Sequence, residues 1–129
     1  MIKFVSNDYN QMSQLAAEIV AGQITAKPDS VLGFPAGSTP VGMYMELIKK
    51  KLNYSKIVAF NLGEYYPINR KNKQSYNFYL YDTFFNKINI RQENIHLLNG
   101  ETENPVSECV KYEESICHAG GIDLVILGI

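Results

Sequence analysis

The chain has 129 residues, 46% of them hydrophobic and 19% charged, which is the size and composition of one globular domain with its own core. A net charge of -1, without a long run of one sign, argues against nucleic acid or an anionic membrane as the main partner. The N-terminus lacks a signal-peptide pattern, and the longest apolar run, residues 124–127, is too short to cross a bilayer. We therefore expect no nucleic-acid or membrane partner.

Strand and helix patterns alternate along the chain. Asp8 and Gln11 form a capping-box pattern that opens the first helix, and apolar residues at helical spacing continue it. Strands are predicted over residues 2–5, 31–34, 57–60, 95–97 and 123–127. Helices are predicted over residues 8–26, 40–52, 74–86 and 107–119. The third helix is apolar almost all round, which indicates a buried helix.

This order of elements predicts an α/β fold with a doubly wound, mostly parallel, Rossmann-like sheet that carries helices on both faces. We assign residues 1–129 to a single α/β domain that is incomplete at its C-terminus. Within the last predicted strand, residues 124–127 are all apolar, as in a strand covered on both faces, yet no helix follows it. Exposed apolar surface of that kind predicts marginal stability or self-association as a homo-oligomer.

Ligands in such sheets bind beyond the carboxyl ends of the strands, so the turn after the 31–34 strand is a candidate site. Thr39 is predicted as the N-cap of the next helix and Pro40 as its first residue. Gly37 lets the backbone approach a ligand, the N–H groups of the first helical turn favour an anion, and Ser38 and Thr39 add hydroxyl donors. A phosphate cradle and an ordinary tight turn fit this pattern equally well. The Gly-Lys pair of a nucleotide P-loop is absent.

A second candidate is the turn after the 57–60 strand, where Glu64 is placed as a general base. The alternative is a solvated turn residue. Cys109 and Cys117 lie in a predicted helix, about 12 Å apart along its axis, too far for a disulfide. Two thiols without metal-ligand spacing indicate a reducing, cytoplasmic compartment and no metal site, and we expect both to be half-buried.

An ordered series of short motifs identifies the chain as similar to glucosamine-6-phosphate deaminases. The motifs occupy residues 32–40, 60–65, 75–76, 84–85, 88–90, 94–96, 98–100, 112–113 and 121–124. Their order along nearly the whole chain is more specific than any one of them. The sister family of 6-phosphogluconolactonases shares the Gly-Ser-Thr-Pro turn, residues 37–40, whereas residues 61–65 and the Leu-Asn-Gly at 98–100 favour the deaminases.

The resemblance implies an aldose–ketose isomerisation coupled to loss of ammonia, which converts glucosamine 6-phosphate and water into fructose 6-phosphate. It implies no metal or organic cofactor. Gly37, Ser38, Thr39 and Pro40 would hold part of the sugar phosphate. An Asp just before Glu64 would move the proton between the first two sugar carbons, and a later Asp-Gly-His loop would open the ring.

The sequence departs from that pattern twice. Gly63 occupies the position of the proton-shuttling Asp, and glycine has no side chain. The chain ends at Ile129, where the catalytic loop of the family begins. Losing one general base alone costs about 10²–10⁴-fold in rate, so we expect the chain to be inactive. The alternatives are a non-catalytic sugar-phosphate-binding or interaction module, and a relative of the 6-phosphogluconolactonases.

Overall fold

The computed structural model describes residues 2–128 and contains one four-stranded sheet of order β3-β2-β1-β4. All three strand pairings are parallel. The strands are β1 (Val31–Phe34), β2 (Val58–Asn61), β3 (Ile95–His96) and β4 (Leu124–Val125). The helices are α1 (Tyr9–Ala26), α2 (Val41–Lys49), α3 (Tyr76–Thr83) and α4 (Pro105–His118), with 3-10 helices at Phe85–Lys87 and Gln92–Asn94. The predicted parallel α/β fold is confirmed.

The two faces of the sheet carry different residues because successive strand side chains point in opposite directions. On one face, Leu32 and Phe34 join a core of buried side chains from α1, α2 and the segment after α3. On the other face, Phe60 packs edge-on against Tyr112 of α4, with ring centroids 5.5 Å apart. Helices therefore cover both faces, as expected for a doubly wound sheet.

Aromatic rings fill the centre of the main core. Phe84 has no exposed surface and stacks on Tyr44, with centroids 4.7 Å apart. It also packs against Phe34 at 5.4 Å and meets Tyr54 edge-on at 5.8 Å. These contacts join α2 and the segment after α3 to β1, so the turn that follows β1 starts from a rigid base.

Helices α1 and α2 approach each other closely at Gly42. A Cβ atom on Gly42 would lie 2.3 Å from the Ser13 hydroxyl oxygen and 2.9 Å from a ring carbon of Tyr9. Such distances require the helices to separate, so glycine is needed here because of packing. Ser13 is only 3% exposed, and its hydroxyl has no hydrogen-bond partner within residues 2–128.

Replacing this glycine with alanine tests the close packing. Because the added methyl overpacks the α1–α2 contact, Gly42→Ala should lower the free energy of unfolding by about 1–3 kcal/mol. Gly22→Ala is the matched control, since a Cβ there meets nothing within 4 Å and alanine favours the interior of α1. It should raise stability by about 0.5–1 kcal/mol. Urea unfolding measures both; equal effects of the two substitutions would contradict this packing.

Two predicted strands differ from the structure. Residues 2–5 form no strand, and Ile2, Phe4 and Val5 are 83%, 61% and 83% exposed, because no neighbouring strand among the described residues supplies a ladder of hydrogen bonds. At the other end, β4 is limited to Leu124–Val125 and is not covered on both faces. Val125 is 39% exposed, while Leu124 packs against the main core.

The predicted helices are present with shifted ends. α2 stops at Lys49, and Lys51 takes the left-handed conformation with φ of 51°. α3 spans only Tyr76–Thr83, and Leu80 is its one buried residue, so the prediction of an all-round buried helix is wrong. α4 starts at Pro105, where the Asn104 side chain accepts from the Ser107 N–H. Its two cysteines are exposed rather than half-buried. Within residues 2–128, no helix has the length and apolarity to cross a membrane.

Candidate functional site

The candidate site lies where the strand order of the sheet reverses. The chain leaves β1 towards β2 on one side, while β4 pairs with β1 on the other, so the carboxyl ends of β1 and β4 flank a crevice. A pocket of about 180 Å³ occupies this crevice. Its lining comes from α1, from the turn after β1 and from the segment after β4: Met12, Ser13, Ala16, Pro35, Thr39, Pro40, Met43, Ile126, Leu127 and Gly128. The fold thus brings the predicted turn to the usual ligand position.

In the turn after β1, the middle residues are exposed to solvent and the residues at both ends are buried. Pro35 and Pro40 are buried, whereas Gly37, Ser38 and Thr39 are exposed. Gly37 has φ of 108°, which a residue with a side chain rarely adopts, and nothing lies within 4 Å of where its Cβ would be. Pro40, rather than Thr39, is the N-cap of α2, and no side chain caps this helix. The predicted N-cap was therefore one residue too early.

Free N–H groups lie mainly in the turn before α2; in the first turn of α2, that of Met43 also lacks a partner among the described residues. The Val41 N–H donates to the Ser38 carbonyl at 3.4 Å, and the Gly42 N–H donates to the Tyr9 hydroxyl at 2.9 Å. Within residues 2–128, the N–H groups of Gly37, Ser38 and Thr39 have no hydrogen-bond partner. The donors open to an anion are thus those of these three residues and of Met43, because Val41 and Gly42 already have partners.

The turn after β2 starts level with the first one, because Phe34 and Asn61 are partners in the parallel ladder. Asn61 is buried, and its side chain donates to the Gly63 carbonyl at 2.8 Å and accepts from the Leu98 N–H at 3.1 Å. The Tyr112 hydroxyl donates to the Asn61 side-chain oxygen at 2.7 Å. Burial raises the pKa of Tyr112, so this donor stays protonated at neutral pH. Asn61 therefore fixes the start of the turn that carries Gly63.

Gly63 is half-exposed in the turn after β2, and a Cβ built on it meets no atom within 4 Å. Its φ lies outside the left-handed region, so a side chain is compatible with this backbone. No other group therefore occupies the space that the side chain of an Asp at position 63 would enter.

Glu64 is bound to the start of α3. Its two carboxylate oxygens accept from the Tyr76 N–H at 2.9 Å, the Asn77 N–H at 2.9 Å and the buried Ser75 hydroxyl at 2.7 Å. The Tyr65 N–H adds a fourth bond at 2.9 Å. Three of these four donors belong to the start of α3, so the carboxylate acts as a cap for this helix. The geometry favours a structural role for Glu64 over that of a general base.

Two tyrosines that local patterns did not single out contact the candidate turn. The Tyr9 hydroxyl lies 3.0 Å from the Thr39 carbonyl oxygen and 3.3 Å from that of Ser38. The Tyr79 hydroxyl donates to the Gly37 carbonyl, and burial raises the pKa of Tyr79, which keeps its proton in place. These partners lie 29 to 42 residues apart in the sequence, so no local signal could have found them.

No group of three or more His, Cys, Asp or Glu side chains within residues 2–128 is arranged to hold a metal ion. The residues around the crevice are glycine, hydroxyl-bearing and apolar side chains with free backbone N–H groups. Such a set binds an oxyanion by hydrogen bonds, since N–H and O–H groups are donors. The arrangement thus offers hydrogen-bond donors to an oxyanion.

Comparison with known proteins gives one family. The sequence model described as glucosamine-6-phosphate isomerases/6-phosphogluconolactonase matches residues 7–129. A glucosamine-6-phosphate deaminase of Clostridium botulinum (strain Langeland) is 50% identical over 129 residues, which is 97% of this chain and 53% of that protein. One of Clostridium acetobutylicum is 49% identical over 127 residues, covering 95% and 53%. The chain thus spans about half the length of the curated relatives it matches.

Solved structures agree with the fold. A monomeric glucosamine-6-phosphate deaminase, described as a missing link of the NagB superfamily, matches with a TM-score of 0.97 and 35% identity, covering 100% of this chain and 55% of that one. A 6-phosphogluconolactonase of Thermotoga maritima matches with a TM-score of 0.83 and 22% identity, covering 100% and 59%, a likeness of fold alone. The chain belongs to the family of glucosamine-6-phosphate isomerases and 6-phosphogluconolactonases.

Proposed function

We propose that this chain is the sugar-phosphate-binding part of a glucosamine-6-phosphate deaminase-like protein and that, by itself, it binds the phosphate without turning the sugar over. The deaminase side of the family is favoured because curated deaminases are 48–50% identical to it, whereas the lactonase of Thermotoga maritima is 22% identical. The chain covers about half of those deaminases, so binding and catalysis need not be present together.

The observation that carries the proposal is the row of unpaired N–H groups at Gly37, Ser38 and Thr39, beside the crevice between β1 and β4. Backbone donors that converge on open space beside a helix N-terminus suit a phosphate, which offers several acceptor oxygens. The hydroxyls of Ser38 and Thr39 stand next to the same space. Pro40 contributes a buried ring that holds the end of the turn in place.

The catalytic step fails at Gly63. In the family reaction, glucosamine 6-phosphate and water give fructose 6-phosphate and ammonia, and a base must carry a proton from the second sugar carbon to the first. Gly63 offers no group for that transfer, and the Glu64 carboxylate is held by the start of α3. Neither residue therefore supplies the base in this chain.

A non-catalytic sugar-phosphate-binding module is the second candidate, and the absence of a side chain at Gly63 favours it over an active enzyme. The two candidates share the phosphate turn and differ in whether a second half from a complete relative, joined to the chain with Gly63→Asp, gives activity. An active 6-phosphogluconolactonase relative is the third candidate, and its support is the shared fold alone.

The remaining parts of the proposal concern partners and location. The partner is a small sugar phosphate, with neither nucleic acid nor a membrane as a partner, and no metal or organic cofactor takes part. Exposed free thiols at Cys109 and Cys117 support a reducing, cytoplasmic location. Self-association as a homo-oligomer stays a prediction, and the exposed Leu62, Val125 and Leu127 supply apolar surface for it.

The test is a titration of the isotope-labelled chain, followed by NMR. Glucosamine 6-phosphate and inorganic phosphate should both shift the amide signals of Ser38 and Thr39 first, because those N–H groups gain an acceptor. Glucosamine without phosphate is the control and should leave them in place. Ammonia release from glucosamine 6-phosphate should stay at background. Shifts that occur elsewhere but not at these two amides would contradict the phosphate turn, and turnover would contradict the loss of catalysis.

A further inference from the structure

We propose that Tyr9 and Tyr79 are positioning residues that aim the N–H groups of Ser38 and Thr39 at the anion. This inference rests on the proposed function, because it concerns the same turn. Tyr9 lies at the start of α1 and Tyr79 in the middle of α3, so two helices on either side of the turn hold it through hydroxyl groups.

The carbonyl groups of the turn all have tyrosine donors. Tyr79 donates to the carbonyl of Gly37, and Tyr9 shares its proton between the carbonyls of Ser38 and Thr39. Each of these carbonyls is accessible from the helix side of the turn. Without those donors, the carbonyls of Gly37 and Thr39 would have no partner among the described residues, and that of Ser38 would keep only the longer bond from the Val41 N–H at 3.4 Å. The turn is exposed and Gly37 is conformationally permissive, so the peptide groups would be free to rotate.

Peptide planarity converts the position of a carbonyl into the direction of the next N–H group. In a trans peptide unit, the C=O of one residue and the N–H of the following residue point in opposite directions. The peptide bonds after Gly37 and Ser38 are trans. Tyr79, which binds the Gly37 carbonyl, therefore turns the Ser38 N–H away from itself, and Tyr9 does the same for the Thr39 N–H. Both N–H groups then point away from the tyrosines, and neither has a partner within residues 2–128.

Tyr9 also defines where the anion site ends. Its hydroxyl oxygen accepts from the Gly42 N–H at 2.9 Å, which occupies a donor in the first turn of α2. The Gly42 N–H is therefore not available to an anion, which leaves the N–H groups of the turn as its main donors. The glycine at position 42 is required for this arrangement, because a larger side chain would press on the Tyr9 ring 2.9 Å away.

Packing of the Tyr9 ring does not by itself explain why the Tyr9 hydroxyl makes all its hydrogen bonds to the turn and to the start of α2. Tyr9 is 46% exposed, so its hydroxyl could be hydrated by water without any partner in the protein. Instead it makes one accepted and two donated contacts, all with residues 38–42. A phenylalanine would keep the ring and lose only these contacts, which makes the substitution a specific test.

The experiment compares Tyr9→Phe, Tyr79→Phe and the double variant with the unmodified chain. Each single substitution should weaken binding of inorganic phosphate and of glucosamine 6-phosphate by about threefold to tenfold, the usual effect of one hydrogen bond, and the double variant by more than either. The shifts of the Ser38 and Thr39 amides at saturation should shrink, because their N–H groups are no longer aligned. Tyr81→Phe is the matched control: it lies in the same helix, and its hydroxyl accepts from Gln92 rather than contacting the turn.

The outcomes separate this inference from the proposed function. If the unmodified chain shows no phosphate-dependent shift at Ser38 and Thr39, the proposed function fails. If it does bind and both phenylalanine variants bind phosphate as tightly as Tyr81→Phe, the positioning role is overturned. The role is also overturned if affinity falls only in proportion to a loss of folded protein, which thermal unfolding of each variant measures. Reduced affinity in a fully folded variant supports it.

Discussion

Gly63→Asp should raise ammonia release by about 10²–10⁴-fold in a chimera that joins this chain to the second half of the Clostridium botulinum deaminase, relative to the same chimera with Gly63. That relative is 50% identical to the chain, which covers 53% of it, so the junction follows directly after the matched region. Open space around the Gly63 Cβ position and an ordinary backbone conformation let the new carboxylate enter without strain. The gain is that expected from one restored general base.

Two controls sharpen this experiment. Gly63→Asn in the chimera has nearly the same shape but no basic group, so it should stay near the Gly63 level. Gly63→Asp in the 129-residue chain should not restore activity, because catalytic groups act as a unit and repairing one member of an incomplete set recovers little. High activity of the Gly63 chimera, or equal gains from Asn and Asp, would show that another residue carries the proton.

Glu64→Ala should lower the free energy of unfolding by about 2–3 kcal/mol, since hydrogen bonds to a charged group contribute about 1.5–3 kcal/mol and Glu64 is partly hydrated. The substitution removes the acceptor for the Ser75 hydroxyl and for the Tyr76 N–H and one of two acceptors for the Asn77 N–H, so the start of α3 keeps only the Ser75 side chain as its cap. Urea unfolding followed by circular dichroism measures the loss.

The matched control is Glu113→Ala, an exposed carboxylate on α4, which should change stability by less than about 0.5 kcal/mol. The active chimera with Gly63→Asp then separates structure from chemistry. Glu64→Gln keeps one acceptor oxygen and the side-chain length, so it should retain most of the activity. If the Glu64→Gln chimera folds but loses its activity, Glu64 is the general base and the structural role is contradicted.

Features that depend on neighbouring residues were predictable. The first helix begins at Asp8, as the capping pattern predicts, because the Gln11 N–H reaches the Asp8 side chain at 2.8 Å. The strand over residues 31–34 has the predicted bounds, since its run of buried residues is a local signal. The sequence also singled out Gly37 as a residue that lets the backbone approach a ligand, and the structure adds that its φ of 108° favours glycine.

Features that depend on distant partners were decided by the tertiary structure. The apolar residues 2–5 resemble a strand, but a strand forms only where another offers its backbone groups, and none among the described residues does so. The local sequence suggests that the Glu64 carboxylate is free. In the structure it binds the start of α3, which lies twelve residues later at Tyr76.

The sequence by itself determined the fold class, the position of the candidate turn after β1 and the absence of a side chain at Gly63, because each follows from local composition and order. Only the tertiary structure decided which N–H groups of that turn are free. Tyr9 and Tyr79 reach it from 30 and 42 residues away and bind its carbonyls, and no pattern of neighbouring residues encodes a contact across that separation. Hydrogen-bond direction depends on where helices pack, and packing is a property of the whole chain.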